Sequence, residues 1–472
     1  MDQWAIGEVP GYEFEARRTP PPAIYHDALA GYEDPRRQIR QLRQPERPPE
    51  EPSPVALTAS GVLAAMRERN WVTGLAVPIL AAIIVGVAVV VVVGGGGGGG
   101  AAPSALAAGF PPARLAGADF TGAAVTSPVV LDAIAASAAT EVVAGSASGD
   151  PALWVSANGG SVWSRARLIG KAALTMSGSG ELAGVTHGAA GWLAVGAKLT
   201  GQAGSIVASS PDGQTWTVAS GTTVLPGAGA QAVTAAAAAG QAGYVIVGHH
   251  RVDGASRAAV WYAHGLAGWR PAVVTQISGQ EINAVTATAT GFAAVGAAGT
   301  NPAAWLSATG RTWRLVALPL SDGAVQGAFT YVAANGDVVV AVGTEVSAAG
   351  VSSPFAEISA DGGATWRQTL LPVPTAGATA TTVTALAATG GGFTATGTYG
   401  VADGENVAVW TLTSIDQAGG WAVATPQGTG LAGTGTQAIT ALTAEGATLT
   451  GVGFTTGSGA RQPTLWQSPI RN

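Results

Sequence analysis

From residue 140 to residue 468 one phrase recurs at a spacing of 44–56 residues. A repeat of that length marks supersecondary units that stack because none can bury its apolar surface alone. Each copy holds an alternating apolar strand, then a second strand closing on glycine. The closings are TEVVAG (Thr140–Gly145), GWLAVG (Gly191–Gly196), GYVIVG (Gly243–Gly248), GFAAVG (Gly291–Gly296), DVVVAVG (Asp337–Gly343), GFTATG (Gly392–Gly397) and TLTGVG (Thr448–Gly453). A third strand follows a loop later, as in LWVS at Leu153, AWLS at Ala304 and TLWQ at Thr464. A fourth opens at Trp163, Trp216, Trp269, Trp313, Trp366 and Trp421. Four short strands per unit at this period describe the blades of a β-propeller. There are seven second and third strands but six Trp-led fourth strands, and the chain ends at Asn472, soon after Trp466. The sequence therefore predicts an all-β, seven-bladed propeller over residues 118–472. Ala118–Ser127 (ADFTGAAVTS) would supply the missing strand and so cover two sheet edges that would otherwise invite association.

Between the third and fourth strands lies a recurrent turn. Its fullest copy runs Ser359, Asp361, Gly363, Thr365, Trp366; a shorter one runs Ser210, Asp212, Gly213, Thr215, Trp216. Ser156 to Trp163 carries Asn158 in place of the aspartate, and Ser307, Gly310, Trp313 carry Thr309. An aspartate there can accept hydrogen bonds from the turn's own amides, glycine supplies positive φ, and tryptophan buries a large ring between units. The pattern resembles the Asp-box, S-x-D-x-G-x-T-W, of the sialidase-like (BNR) propellers, and the resemblance covers residues 118–472. It implies that the boxes are structural, lie on the face opposite the ligand site, and give Asp212 and Asp361 no catalytic part. It also extends to seven-bladed assembly factors that bind other proteins. The chain departs from the sialidases themselves. It lacks their Arg-Ile-Pro signature, has only Tyr244, Tyr262, Tyr331 and Tyr399 beyond the first 100 residues, and places Arg270, Arg314 and Arg367 directly after blade tryptophans, on outer strands.

The repeats are preceded by a different kind of chain. Residues 1–70 hold nine Arg and eleven Asp or Glu, against thirteen basic and seventeen acidic residues in 101–472. Val72 to Val93 is 22 residues without a charge. As a helix it would reach roughly 33 Å, enough for a bilayer core of about 30 Å. Arg67 and Arg69 stand just before it and the next charge after it is Arg114. The positive-inside rule then keeps the N-terminus in the cytoplasm, making the chain a single-pass plasma-membrane protein with an extracellular C-terminal domain. Cleavage as a signal peptide near Ala105–Ala108 is the competing reading, and the long preceding segment argues against it. Residues 1–55 are rich in proline and charge and read as a disordered cytoplasmic tail. Trp4, Tyr12, Phe14, Tyr25 and Tyr32 offer it anchors for a cytoplasmic partner. Residues 56–71 read as a juxtamembrane helix, and 94–117, with seven consecutive glycines, as a flexible linker. Arg outnumbers Lys twenty to two, the usage of a GC-rich, actinobacterial-type genome.

There is no cysteine, which excludes disulfides, thiolate metal sites and a cysteine nucleophile. The net charge of -6 leaves no footprint for nucleic acid. No G-x-S-x-G, Walker loop or H-E-x-x-H is present. A two-carboxylate hydrolase needs acids about 5–10 Å apart, yet Asp150, Asp253, Glu345, Asp403 and Glu405 fall in loops of separate blades. No catalytic residue, metal or cofactor is assigned. The densest polar cluster, His249, His250, Arg251, Asp253 and Arg257, is the first candidate for ligand contact. These readings point to a membrane-anchored binding or scaffolding module for a protein or glycan. A glycoside hydrolase on the same propeller and a transmembrane sensor are the alternatives.

Overall fold

The structure, a computed structural model, describes residues 129–470 apart from 171–179, 199–203, 229–232, 253–254, 414–419, 427–429, 457–460 and positions 276, 278, 377, 391 and 425. The expected tail, juxtamembrane helix, span 72–93, linker and closing strand 118–127 lie outside these residues. Among the described residues no helix is long and apolar enough to cross a membrane.

The chain runs as a succession of antiparallel meanders. The first comprises Val129–Ser137, Thr140–Ala147, Asp150–Ser156 and Ser164–Arg165. The second comprises Gly180–Gly188, Gly191–Lys198, Ser205–Ser210 and Thr215–Ser220, and the third Val233–Gly240, Gly243–Val252, Ala255–Ala263 and Arg270–Pro271. The fourth is Gln280–Thr288, Gly291–Ala298, Asn301–Ser307 and Thr312–Ala317; the fifth is Ala324–Asn335, Val338–Ser347, Ser352–Ser359 and Arg367–Leu370. The sixth is Thr379–Thr389, Gly392–Val401, Gly404–Leu412 and Trp421–Ala424. A seventh of three strands follows: Gly435–Glu445, Thr448–Thr455 and Gln462–Pro469. The first strand of each meander packs on the first strand of the next, and Gly435–Glu445 packs back on Val129–Ser137. Four-stranded meanders whose inner strands succeed one another around a ring make a β-propeller. Two short strands extend outer edges in parallel: Arg167–Ile169 beside Thr215–Ser220, and Val273–Val274 beside Thr312–Ala317.

The glycine that closes each repeated phrase does not end its strand. The second strand of the third meander continues four residues past Gly248, and that of the fifth four past Gly343. What the glycine marks is a bulge in the inner strand opposite it. The register of the inner strand slips by one residue at Leu131/Ala133, Leu182/Gly184, Thr234/Ala236, Ile282/Ala284, Phe329/Tyr331, Val383/Ala385 and Ile439/Ala441. The kinked backbone leans onto the partner, so a Cβ on Gly196 would stand 1.9 Å from the Glu181 carbonyl oxygen. Gly145, Gly296, Gly343, Gly397 and Gly453 face the same close approach. Only glycine fits there.

Three of the residues pushed out at the bulges tie one meander to another. Asn283 Nδ2 donates to the Phe329 carbonyl at 2.8 Å, the Thr384 hydroxyl to that of Ile439, and the Thr440 hydroxyl to that of Leu131. Most of the remaining packing between meanders is apolar. Val142, Leu153, Leu182, Trp192 and Trp216 fill the space between the first two, and Val245, Val260, Phe292, Trp305 and Trp313 that between the third and fourth.

Candidate functional site

The polar cluster of the third meander sits on the hairpin formed by Gly243–Val252 and Ala255–Ala263. Its register sets His249 opposite Ala258, His250 opposite Arg257 and Arg251 opposite Ser256. Alternation along a strand sends neighbours to opposite faces. His250 and Arg257 therefore share the face of Ile246, Ala259 and Trp261, which packs toward the second meander. His249 and Ser256 share the face of Val247 and Ala258, toward the fourth. The cluster is thus divided into two sides rather than gathered at one point. Asp253 lies outside the described residues.

On the first side, His250 and Arg257 are half-buried, and His250 Nδ1 and Arg257 Nε are buried without a hydrogen-bond partner among the described residues. Burial, and then the charge of Arg257, hold the His250 imidazole below its ordinary pKa. The pair is a neutral imidazole beside a fixed cation, with polar atoms unspent. Unsatisfied buried groups of this kind are costly unless something completes them, and a guanidinium is suited to an anionic or carbonyl oxygen. On the second side, Ser256 donates to Glu281 Oε1 at 2.9 Å. Glu281 belongs to the inner strand of the fourth meander and was not among the expected contacts. Its signal is positional: it is the residue before Ile282, at a bulge position the repeat fixes.

The Ser–Asp–Trp turns have a common geometry. Ser210 Oγ donates to Asp212 Oδ1 at 2.9 Å and accepts from the Gly213 amide at 2.9 Å. Asp212 Oδ1 also accepts from the amides of Gln214 and Thr215. Trp216 Nε1 donates to the Gly213 carbonyl at 2.7 Å, so the turn fixes its own indole. Ser359, Asp361, Gly363 and Trp366 repeat the set, with Thr365 Oγ1 donating to Asp361 Oδ2 at 2.6 Å. Asn158 replaces the carboxylate with an amide oxygen that accepts from Val162, and Trp163 Nε1 donates to Gly160. Thr309 makes the weakest copy, yet Ser307 still caps Gly310 and Trp313 still bonds its carbonyl. Trp163, Trp216 and Trp313 are buried, while Trp366 is half-buried. Hydrogen bonds to the carboxylates lower the pKa of Asp212 and bring Asp361 down to about 2.

The acids considered for a hydrolase are not all in separate units: Asp150 is in the first meander and Glu345 in the fifth, but Asp403 and Glu405 stand together at one hairpin of the sixth. Glu345 is not in a loop but inside the strand Val338–Ser347, and Glu405 lies inside Gly404–Leu412. Glu345 has an acidic neighbour that the spacing of loops does not suggest. Glu357, 1% exposed, has its pKa raised to about 7, first by burial and then by Glu345. Its signal is a charged residue in the strand FAEIS where alternation calls for an apolar one. Among the described residues no group of three or more His, Asp or Glu is placed to hold a metal ion.

No family model matches the chain, and no curated protein matches it. Solved structures are similar to it. YCF48 bound to D1 peptide is 13% identical, with 74% of this chain and 94% of that one covered at a TM-score of 0.47. An α-L-arabinofuranosidase from Fusarium graminearum is 13% identical, with 78% and 98% covered at 0.41. Trypanosoma rangeli sialidase in complex with sialic acid is 9% identical, with 72% of this chain covered at 0.37; the chain spans 54% of that enzyme.

Proposed function

We propose that this chain is a cell-surface binding or scaffolding module: a seven-bladed propeller that engages a protein or glycan partner. In this reading Ala118–Ser127 completes the seventh meander, which has three strands among the described residues where the others have four. The Ser–Asp–Trp turns serve as structural Asp-boxes. The segment 72–93 spans the bilayer, the tail stays in the cytoplasm, and the linker 94–117 gives the propeller reach. The observation that carries the binding reading is the His250–Arg257 pair, two half-buried polar side chains with unspent hydrogen-bonding atoms at one end of a rigid ring. A partner carboxylate or carbonyl oxygen would complete them.

The test is crosslinked affinity capture of the full chain from native membranes, beside a glycan array. Wild type is compared with the His250→Ala, Arg257→Ala double variant. A stoichiometric partner or a glycan signal that the variant loses supports the reading. Capture that the variant leaves intact removes the site, and turnover of a glycoside that one carboxylate substitution abolishes replaces binding with hydrolysis. Protease added to intact cells should digest the propeller and spare the tail.

A further inference from the structure

The fifth meander breaks a rule that most of the others keep. In the third strand, opposite the residue two before the recurrent glycine, Trp154, Trp261, Trp305, Trp410 and Trp466 each bury an indole. The fifth meander has Glu357 there, opposite Ala341. Two of these indoles do more than fill space. Trp261 Nε1 donates to the Pro226 carbonyl at 2.9 Å and Trp410 Nε1 to that of Pro372 at 2.8 Å. Each fastens the incoming connection, Leu225-Pro226 or Leu371-Pro372, to the meander that it enters. The corresponding Leu318-Pro319 leads into the fifth meander and finds no indole.

Glu345 holds that connection instead. Its Oε1 accepts from the Ser321 amide and from Gln368 Nε2, both at 3.0 Å, and its Oε2 accepts from the Ser321 hydroxyl. Gln368 is the cross-strand neighbour of Glu357. Beside the connection lies an open cleft of about 580 Å³, lined by Leu320, Ser321, Asp322, Gln368, Thr369 and Leu370. Glu357 itself is sealed in, and its Oε1 has no hydrogen-bond partner among the described residues. The charged and titratable groups on the elements around it are few. They are Glu345 on the second strand, Tyr331 on the inner strand, Asp322 in the connection and Arg314 on the outer strand of the fourth meander. Arg367 pairs with Ile358 and so belongs to the other face. The strand Asn301–Ser307 contributes none.

Two buried carboxyls on one face of the same hairpin cannot both ionise cheaply. Glu357, whose Oε1 meets no donor among the described residues, is the one that burial keeps protonated. We propose that the junction between the fourth and fifth meanders is a pH-sensitive joint. With Glu357 protonated, Ser321 stays fastened to Glu345; when Glu357 ionises, the connection Leu318–Gly323 is released and the cleft widens. The direction follows from linkage. A carboxyl raised to about 7 in the closed joint, against an ordinary 4.5, favours closure less and less as pH rises between those values, and no further change follows above.

The experiment is hydrogen exchange of the full chain in nanodiscs, read at the Ser321 amide as a protection factor at pH 5 and pH 7.5. Wild type should lose protection by on the order of tenfold or more across that interval, while Glu357→Gln, neutral at both, should hold it constant. Equal losses in the two proteins, or no loss in wild type, overturn the proposal. Should Glu357→Gln fail to fold, wild type decides alone. In a Glu181→Gln background the infrared band of a protonated carboxyl must fall over the same pH interval in which Ser321 loses protection, and a Ser321 step without that fall overturns the joint.

Discussion

The hydroxyl of Thr440 donates to the backbone carbonyl of Leu131, 309 residues earlier in the chain. The bond joins the last inner strand to the first. Three others cross the same junction: Thr450 Oγ1 to Glu141 Oε1, the Ala138 amide to Glu445 Oε1, and Gln467 Nε2 to the Gly159 carbonyl. The apolar layer beneath them, with Leu131, Val143 and Trp154 against Val452 and Leu465, is continuous across the two ends of the ring. Ring closure is therefore a packed and hydrogen-bonded contact of the same kind as the other junctions.

Thr440→Val keeps the shape of the side chain and deletes its donor, leaving the Leu131 carbonyl buried without that bond. The expected cost is about 1–3 kcal/mol. Because the first and last meanders are coupled through every one in between, the loss should appear as a lower midpoint of a single denaturant transition. An early separate phase would show instead that the junction opens by itself.

The bulge geometry makes a sharper demand. Gly196→Ala places a methyl 1.9 Å from the Glu181 carbonyl oxygen, so backbone must move. A cost of roughly 2–4 kcal/mol is expected, in the range of overpacked or strained core sites. Gly265→Ala meets only the Ala190 methyl at 3.8 Å and serves as the control, within about 0.5 kcal/mol of wild type. Thermal melts of the two variants should differ accordingly, and equal melts would refute the close approach.

Glu181 lies beside one of these bulges, with its pKa raised to about 8, first by burial and then by Asp132. Against an ordinary 4.5, its folded form holds a proton that the unfolded chain has already released. Stability should therefore fall as pH rises from about 4.5 to about 8, and level off above. Glu181→Gln should flatten that slope and be the more stable protein at pH 8. Denaturant midpoints at pH 5, 6.5 and 8 for both proteins check the sign, and parallel slopes would reject it.

The meanders are legible in the amino-acid sequence because a period near fifty residues, a phased glycine and a phased tryptophan all report backbone constraints. The glycine looks like an ending when its own strand is read alone. Its cause is a bulge on the neighbouring strand, which that strand's sequence does not display. Site chemistry is less accessible. His250 and Arg257 are visible as a cluster with His249, but pairing across a hairpin and alternation between faces separate what adjacency suggests. Glu345 and Glu357 are twelve residues apart and share a face, four positions from one another, only because the two strands form a hairpin in register. Glu281 reaches Ser256 from another meander altogether.

Asp361 offers the cleanest test of the recurrent turn. Its carboxylate accepts from the Ser359 and Thr365 hydroxyls and from the Thr365 amide, which brings its pKa down to about 2. A depressed carboxylate stabilises the fold above the unfolded value near 3.9 and loses that contribution as pH falls toward 2. The side chain is exposed, so solvent screening keeps the effect small. Asp361→Asn keeps an oxygen where the turn needs one, as Asn158 does for the Val162 amide, but it cannot titrate. The variant should fold normally, lie slightly below wild type at pH 7, and converge on it as pH falls from 4 to 2. Asp361→Ala should lose the acceptor as well and drop further at neutral pH, with Trp366 fluorescence reporting a loosened turn, because the indole is fixed by the Gly363 carbonyl inside it. An asparagine variant that stays a constant distance below wild type across the acid range would mean that the carboxylate's charge adds nothing to the turn.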